Sequence, residues 1–155
     1  MNVFISYGNI ADQVTALRLQ ALAAVNGLTV FVPPAFTRQG PAIPDEDVLE
    51  KLKQADVVLG LIETGLAESC HQELNAAVTA GKKTIIMCSP AFVPAFEPYF
   101  RSSLVTIDPA NPTQASIDIV RHLKAAESER SAQKALVGIG LLALGLLIVA
   151  TGDRS

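Results

Sequence analysis

Residues 56–62 read Asp-Val-Val-Leu-Gly-Leu-Ile. Behind the leading aspartate no polar side chain interrupts the run, so neither of the two faces that alternate along a strand suits water. Such a strand is buried on both sides, which in a short chain means an interior place in a parallel sheet covered by helices above and below.

The flanking sequence supplies the rest of that sheet. Asn2 to Ser6 is a short apolar strand, followed by a glycine turn and a helix from Asp12 to about Ala24 with Val14, Leu17, Ala21 and Ala24 along one face. Asn26-Gly27 stops this helix. Leu28 to Val32 is a second strand, closed by Pro33 and Pro34. Residues 35–44, punctuated by proline and glycine, read as a loop, and Asp45, Glu46 and Asp47 open a helix that ends near Gln54. Beyond Ile62, a loop at 63–65 leads to a helix from about Ala67 to Ala80, stopped by Gly81, and then to a fourth strand, Thr84 to Cys88. Pro90 to Pro98 reads as one or two short helical turns, Leu104 to Ile107 as a weak fifth strand, and Thr113 to Ala126 as a fifth helix. This alternation predicts an α/β fold, a flavodoxin-like five-stranded parallel sheet flanked by helices with right-handed crossovers. Ligand chemistry in that architecture collects beyond the carboxyl ends of the strands, at residues 6–8, 32–33, 62–63 and 88–89.

The chain of 155 residues holds one domain plus an appendage. We divide it into a domain at 1–126, a polar linker at 127–134 and an apolar segment at 135–151. That last run is uncharged, and about 25 Å long as a helix, short for the ~30 Å hydrocarbon core of a bilayer. Lys134 and Arg154 can snorkel at its ends, and local thinning can absorb the mismatch. It is apolar on every face and carries Gly138, Gly140 and Gly145, a pattern suited to a membrane rather than to a helix covering a small sheet. Basic residues gather before it, at Arg121, Lys124, Arg130 and Lys134. Their bias predicts a single-pass membrane protein with its amino-terminal domain in the cytoplasm. The amino terminus has no signal-peptide pattern. A net charge of −3 with dispersed basic residues gives no footprint for nucleic acid. Cys70 and Cys88, without metal-ligand spacing around them, read as free thiols in a reducing compartment, and no metal site is expected.

No glycine-rich phosphate-binding run follows any strand, which leaves a dinucleotide fold of the usual kind or a P-loop enzyme unsupported. The densest chemistry lies at Glu68 to Leu74, ESCHQEL. Cys70 and His71 are adjacent on a helix and point in different directions, so Cys70 reads as structural rather than as half of a nucleophile and base pair. Glu73 shares a face with both Cys70 and Ser69 and precedes an apolar run, which puts its carboxylate at the border of the core. There it can act as a base, a nucleophile or a stabiliser of developing positive charge.

At these residues the chain resembles the Toll/interleukin-1 receptor (TIR) domains in their small bacterial form. VFISYG with Asp12 is similar to the family's first-strand box, RQGPAI at 38–43 to its second box, and Asp56-Val-Val-Leu to the entry of its third strand. CHQE at 70–73 resembles the cysteine and glutamate of the family's third helix, and GKKTIIM its fourth strand. The likeness spans about residues 1–125. Two stretches depart from the pattern. Ser69 and Ala67 stand where a tryptophan and a serine are common, and the arginine-aspartate pair of the second box is reduced to Arg38.

The resemblance implies an NAD glycohydrolase or cyclase that breaks the nicotinamide-ribose bond, with NAD as substrate, no cofactor, and Glu73 as the catalytic residue. It further implies that Ser6, Tyr7 and Gly8 form the rim of the site, that Arg38 approaches the phosphates, that Phe36 stacks on a base or on nicotinamide, and that Cys70 lies beside Glu73. A homo-oligomer built through homotypic TIR contacts follows from the same likeness, concentrated by the membrane, in a bacterial defence or signalling role. Two other readings are a non-catalytic TIR scaffold or adaptor, and a nucleoside deoxyribosyltransferase-like enzyme that also uses a glutamate on an N-glycosidic bond.

Overall fold

The computed structural model describes residues 1–42 and 45–135. Five strands, β1 (Asn2–Tyr7), β2 (Thr29–Phe31), β3 (Val57–Ile62), β4 (Lys83–Cys88) and β5 (Leu104–Thr106), form one sheet in the order β2-β1-β3-β4-β5. All four pairings are parallel. This is the flavodoxin-like order, with its switch point between β1 and β3. Among the described residues the α-helices are α1 (Gln13–Val25), α2 (Glu46–Gln54), α3 (Glu68–Thr79), α4 (Val93–Phe100) and α5 (Pro112–Ala135).

Every residue of β3 is buried, as an interior strand between two helical layers requires. Odd and even strand positions then separate two cores. Val3, Ile5, Tyr7, Leu59, Leu61 and Met87 pack with Ala16 and Leu19 of α1 and Ile119 and Leu123 of α5. Phe4, Val58, Ile62, Ile86 and Cys88 pack with α2, with Cys70, Leu74 and Ala77 of α3, and with Phe96 of α4. Because Ser6 alternates with Tyr7 it falls on the second face, toward α3.

Gly60 sets how closely α3 can approach. A Cβ there would stand 2.7 Å from Ile86 Cδ1 and 3.0 Å from Leu74 Cδ2. Any side chain at this position would push Leu74, and with it the neighbouring Glu73, away from the sheet.

Three elements differ from the sequence expectation. On α1, Val14, Leu17, Ala21 and Ala24 form the outward face, while Ala16, Leu19 and Ala23 are buried. Arg18 is the helix's one charged residue, so periodicity had no polar side to orient it. Pro90 to Pro98 yields a turn of 3-10 helix and then α4, which runs to Phe100 with Pro98 inside it. The fifth helix does not end at Ala126 but continues through the polar linker to Ala135. The expected transmembrane segment, 135–151, lies outside the described residues except for Ala135 itself. Among the described residues no helix is long and apolar enough to cross a membrane.

Candidate functional site

Glu73 lies on the inner face of α3, one turn after Cys70 and Ser69, and is only 7 % exposed. A lone carboxylate at that depth is costly unless it is paired. Two side chains from two other parts of the chain meet the requirement. Ser6 Oγ, at the end of β1, donates to Oε1 at 2.7 Å. Arg38, from a 3-10 turn at Ala35–Arg38, donates through Nη2 to Oε1 at 2.5 Å and through Nη1 to Oε2 at 3.0 Å. The result is a two-pronged buried ion pair, the strongest geometry available to a guanidinium and a carboxylate. Nη1 also reaches Ser69 Oγ at 3.2 Å and Thr37 Oγ1 at 3.1 Å. The guanidinium carbon sits 4.4 Å from the centre of the Tyr7 ring, a cation-π contact.

The first-strand residues are therefore placed for different work. Ser6 touches the carboxylate directly. Tyr7 forms a floor under Arg38, its hydroxyl donating to Pro33 O at 2.7 Å. Burial pushes the Tyr7 phenol above its ordinary pKa, and the Arg38 cation opposes that rise. Gly8 contributes backbone only. Its N–H donates to Leu61 O at 2.7 Å and its carbonyl accepts from Ala67 N–H at 2.5 Å, which ties the end of β1 to the entry of α3.

Cys70 lies behind the ion pair, its Sγ 3.2 Å from Ser6 Oγ and 3.5 Å from Ser6 O. Burial raises its thiol to about 12, only partly offset by Ser6 and Arg38. At neutral pH it is a protonated thiol, not a nucleophile. His71 faces away, into an apolar groove of about 480 Å³ between α3 and α4 lined by Leu74, Phe96, Tyr99 and Phe100. The two residues thus stand on different sides of α3.

A smaller cleft of about 240 Å³ adjoins the carboxylate, lined by Thr37, Ser69, Gln72 and Glu73 on one side and by Val48, Leu49 and Leu52 of α2 on the other. Phe36 lies outside it and is 62 % exposed. Ser6, Arg38, Cys70 and Glu73 are brought together; Tyr7 joins through Arg38, and Gly8 and Phe36 remain apart from the carboxylate. Ser69 joins as an acceptor for Arg38, a place its spacing from Glu73 on one helix face already marks.

A second buried carboxylate stands at the same end of the sheet. Asp12 is wholly buried and makes no side-chain cap bond to α1. It accepts instead from Glu63 N–H at 3.2 Å, from Thr64 N–H at 3.2 Å and from Thr64 Oγ1 at 2.8 Å. It holds the loop between β3 and α3, a role that lies about fifty residues beyond any local pattern. Among the described residues no cluster of three His, Cys, Asp or Glu side chains forms a metal site.

No family model matches the sequence, and no curated protein matches it.

Proposed function

We propose that the chain is a TIR-like enzyme that cleaves NAD at the bond between nicotinamide and ribose, with Glu73 as its catalytic carboxylate. The observation that carries this reading is the position of Glu73. It is a buried carboxylate at the switch point of a doubly wound sheet, bordering a cleft, with a hydroxyl and a guanidinium fixed on its oxygens. The bond between the ribose C1′ and the pyridinium nitrogen breaks with both electrons going to nitrogen, so nicotinamide leaves neutral. Positive charge passes to the ribose, where an adjacent carboxylate stabilises it or holds the 2′ and 3′ hydroxyls. The electron pair of water, which gives up a proton, or of an internal nucleophile of the same molecule then closes the carbon. The products are nicotinamide with ADP-ribose or with a cyclised isomer.

Assembly through homotypic contacts and anchoring through residues 135–151 complete the proposal, placing the enzyme in bacterial defence or signalling. Fractionation of the full chain against one truncated after Lys134 checks the anchor: the full chain is expected in the membrane fraction, and its appearance with the soluble proteins would remove it.

Nicotinamide release from NAD by the full chain, dilute and clustered on beads, tests the chemistry. Glu73→Gln is expected to lower the rate at least 100-fold, about 2.7 kcal/mol in the barrier. An unchanged rate would overturn the assignment. One observation favours a second reading, a non-catalytic scaffold: both oxygens of Glu73 are engaged by Arg38, as in a structural ion pair. Absence of turnover in both the dilute and the clustered state would select it.

A further inference from the structure

We propose that the groove between α3 and α4 is a binding site for a planar aromatic anion, with His71 and Asn75 holding the acidic group and the aromatic side chains of α4 covering the rings. The site is separate from the Glu73 cleft, with which it shares no lining residue. It does not rest on the catalytic reading of Glu73.

The groove is a formed concavity rather than a bare apolar face. Its volume of about 480 Å³ lies within the roughly 300–1,000 Å³ of pockets that enclose small molecules. Its floor belongs to the core. Leu74 and Phe96 are 6 % and 9 % exposed, and Leu74 packs so closely on Gly60 that a Cβ there would stand 3.0 Å from Leu74 Cδ2. A floor held in this way cannot sink to close the space. The walls are the opposite, because Tyr99 is 73 % exposed and Val78 51 % exposed. Two bulky side chains are left in water at the rim, and a flat ring laid against them covers apolar surface on both of its own faces.

The polar groups select the charge. His71, Asn75 and Val78 follow one another at spacings of four and three, a single stripe along α3. The Asn75 amide carries two N–H donors, and an imidazole carries at least one in either protonation state. Both side chains can therefore donate to one acidic group. Among the described residues no Asp or Glu lines the groove, so nothing there repels an anion and nothing there pairs with a cation. The acids closest in sequence are placed elsewhere. Glu68 accepts from Ala42 N–H at 3.3 Å and from Gln72 Nε2 at 3.5 Å, on the side of α3 that borders the cleft, and Glu97 lies outside the lining that Phe96 and Tyr99 form.

The chain's two histidines supply a test with an internal control. His71 lines the groove, whereas His122 is exposed on α5, whose neighbouring residues Ile119 and Leu123 pack into the other core. Modification of the full chain by diethyl pyrocarbonate is read at each histidine by peptide mass spectrometry, with 8-anilinonaphthalene-1-sulfonate as the probe. The probe is expected to slow modification of His71 at least 5-fold, with half-protection below about 100 μM, and to leave His122 unchanged. Asn75→Asp sets a carboxylate beside the anion, and Tyr99→Ala removes one wall; both positions are exposed. Each is expected to raise the half-protecting concentration at least 5-fold. N-phenyl-1-naphthylamine, the same three rings without the sulfonate, is expected to need at least 5-fold more than the anion. No slowing at His71 overturns the site, as does equal slowing at both histidines, protection unaltered in both variants, or equal protection by the uncharged analogue. Modification of His71 that slows as the protein is concentrated and ignores the probe overturns it in favour of a second copy of the chain.

Discussion

Asp12 and Glu73 are both buried carboxylates at the carboxyl end of one sheet, and they are satisfied in opposite ways. Asp12 meets two backbone N–H groups and a hydroxyl of the loop at 63–64. Glu73 meets a guanidinium and one hydroxyl, each on a different element. Donors built into the backbone cannot leave without unfolding the loop they belong to. A cation on a side chain of a short turn can leave with that turn. Both carboxylates are buried, and what differs is how their partners are attached to the chain.

The largest effect that tests this contrast is expected at Asp12. Asp12→Ala strands two N–H groups of the loop, and denaturant unfolding should show a loss of about 3 kcal/mol, with Asp12→Asn recovering roughly half through its remaining acceptor oxygen. A loss under about 1 kcal/mol would place Asp12 with the separable carboxylates and break the comparison.

A second effect belongs to the Glu73 side. Burial raises the thiol of Cys70 from 9.0 to about 12 and that of Cys88 to about 11. For an acid held neutral by the fold, the stabilising contribution is complete below the unfolded pKa near 9 and is lost as pH climbs toward the folded value. Stability should thus fall above pH 9, each thiol contributing a slope of about 1.4 kcal/mol per pH unit. Melting as a function of pH in Cys70→Ala should show a shallower decline, and an unaltered slope would remove Cys70 from the account.

The smallest effect is expected at Ser6. Ser6→Ala deletes one hydrogen bond to a carboxylate that keeps both Arg38 bonds, so stability should drop by about 1 kcal/mol in the same unfolding measurement. A loss approaching that of Asp12→Ala would mean that the hydroxyl, not the guanidinium, holds Glu73 in place.

The sheet was readable because its signals are local. DVVLGLI announces a strand buried on both faces, and Gly81, with φ at +71°, stops α3 where the sequence says it should. The orientation of α1 was not readable, since its apolar residues surround the helix and only packing against α5 and the sheet chooses a side. At the site, the shared helix face of Ser69, Cys70 and Glu73 follows from helical spacing. The ion pair does not, because Arg38 and Glu73 are 35 residues apart and meet only after β3 and α3 fold against each other. Asp12 shows the same limit from the other side. Next to a helix start it looks like a cap, and its partners lie 51 and 52 positions away.

The path of α5 gives the molecule a direction. Lys124 Nζ reaches Asn26 O at the end of α1, and Glu127 stands 3.7 Å from the amino group of Met1, so the helix passes the starting edge of the sheet there and continues to Ala135. The Glu73 carboxylate lies at the finishing edge, about 20 Å off along the six residues of β1. Anything attached through residue 135 therefore leaves the domain from the end of the sheet opposite the Glu73 carboxylate.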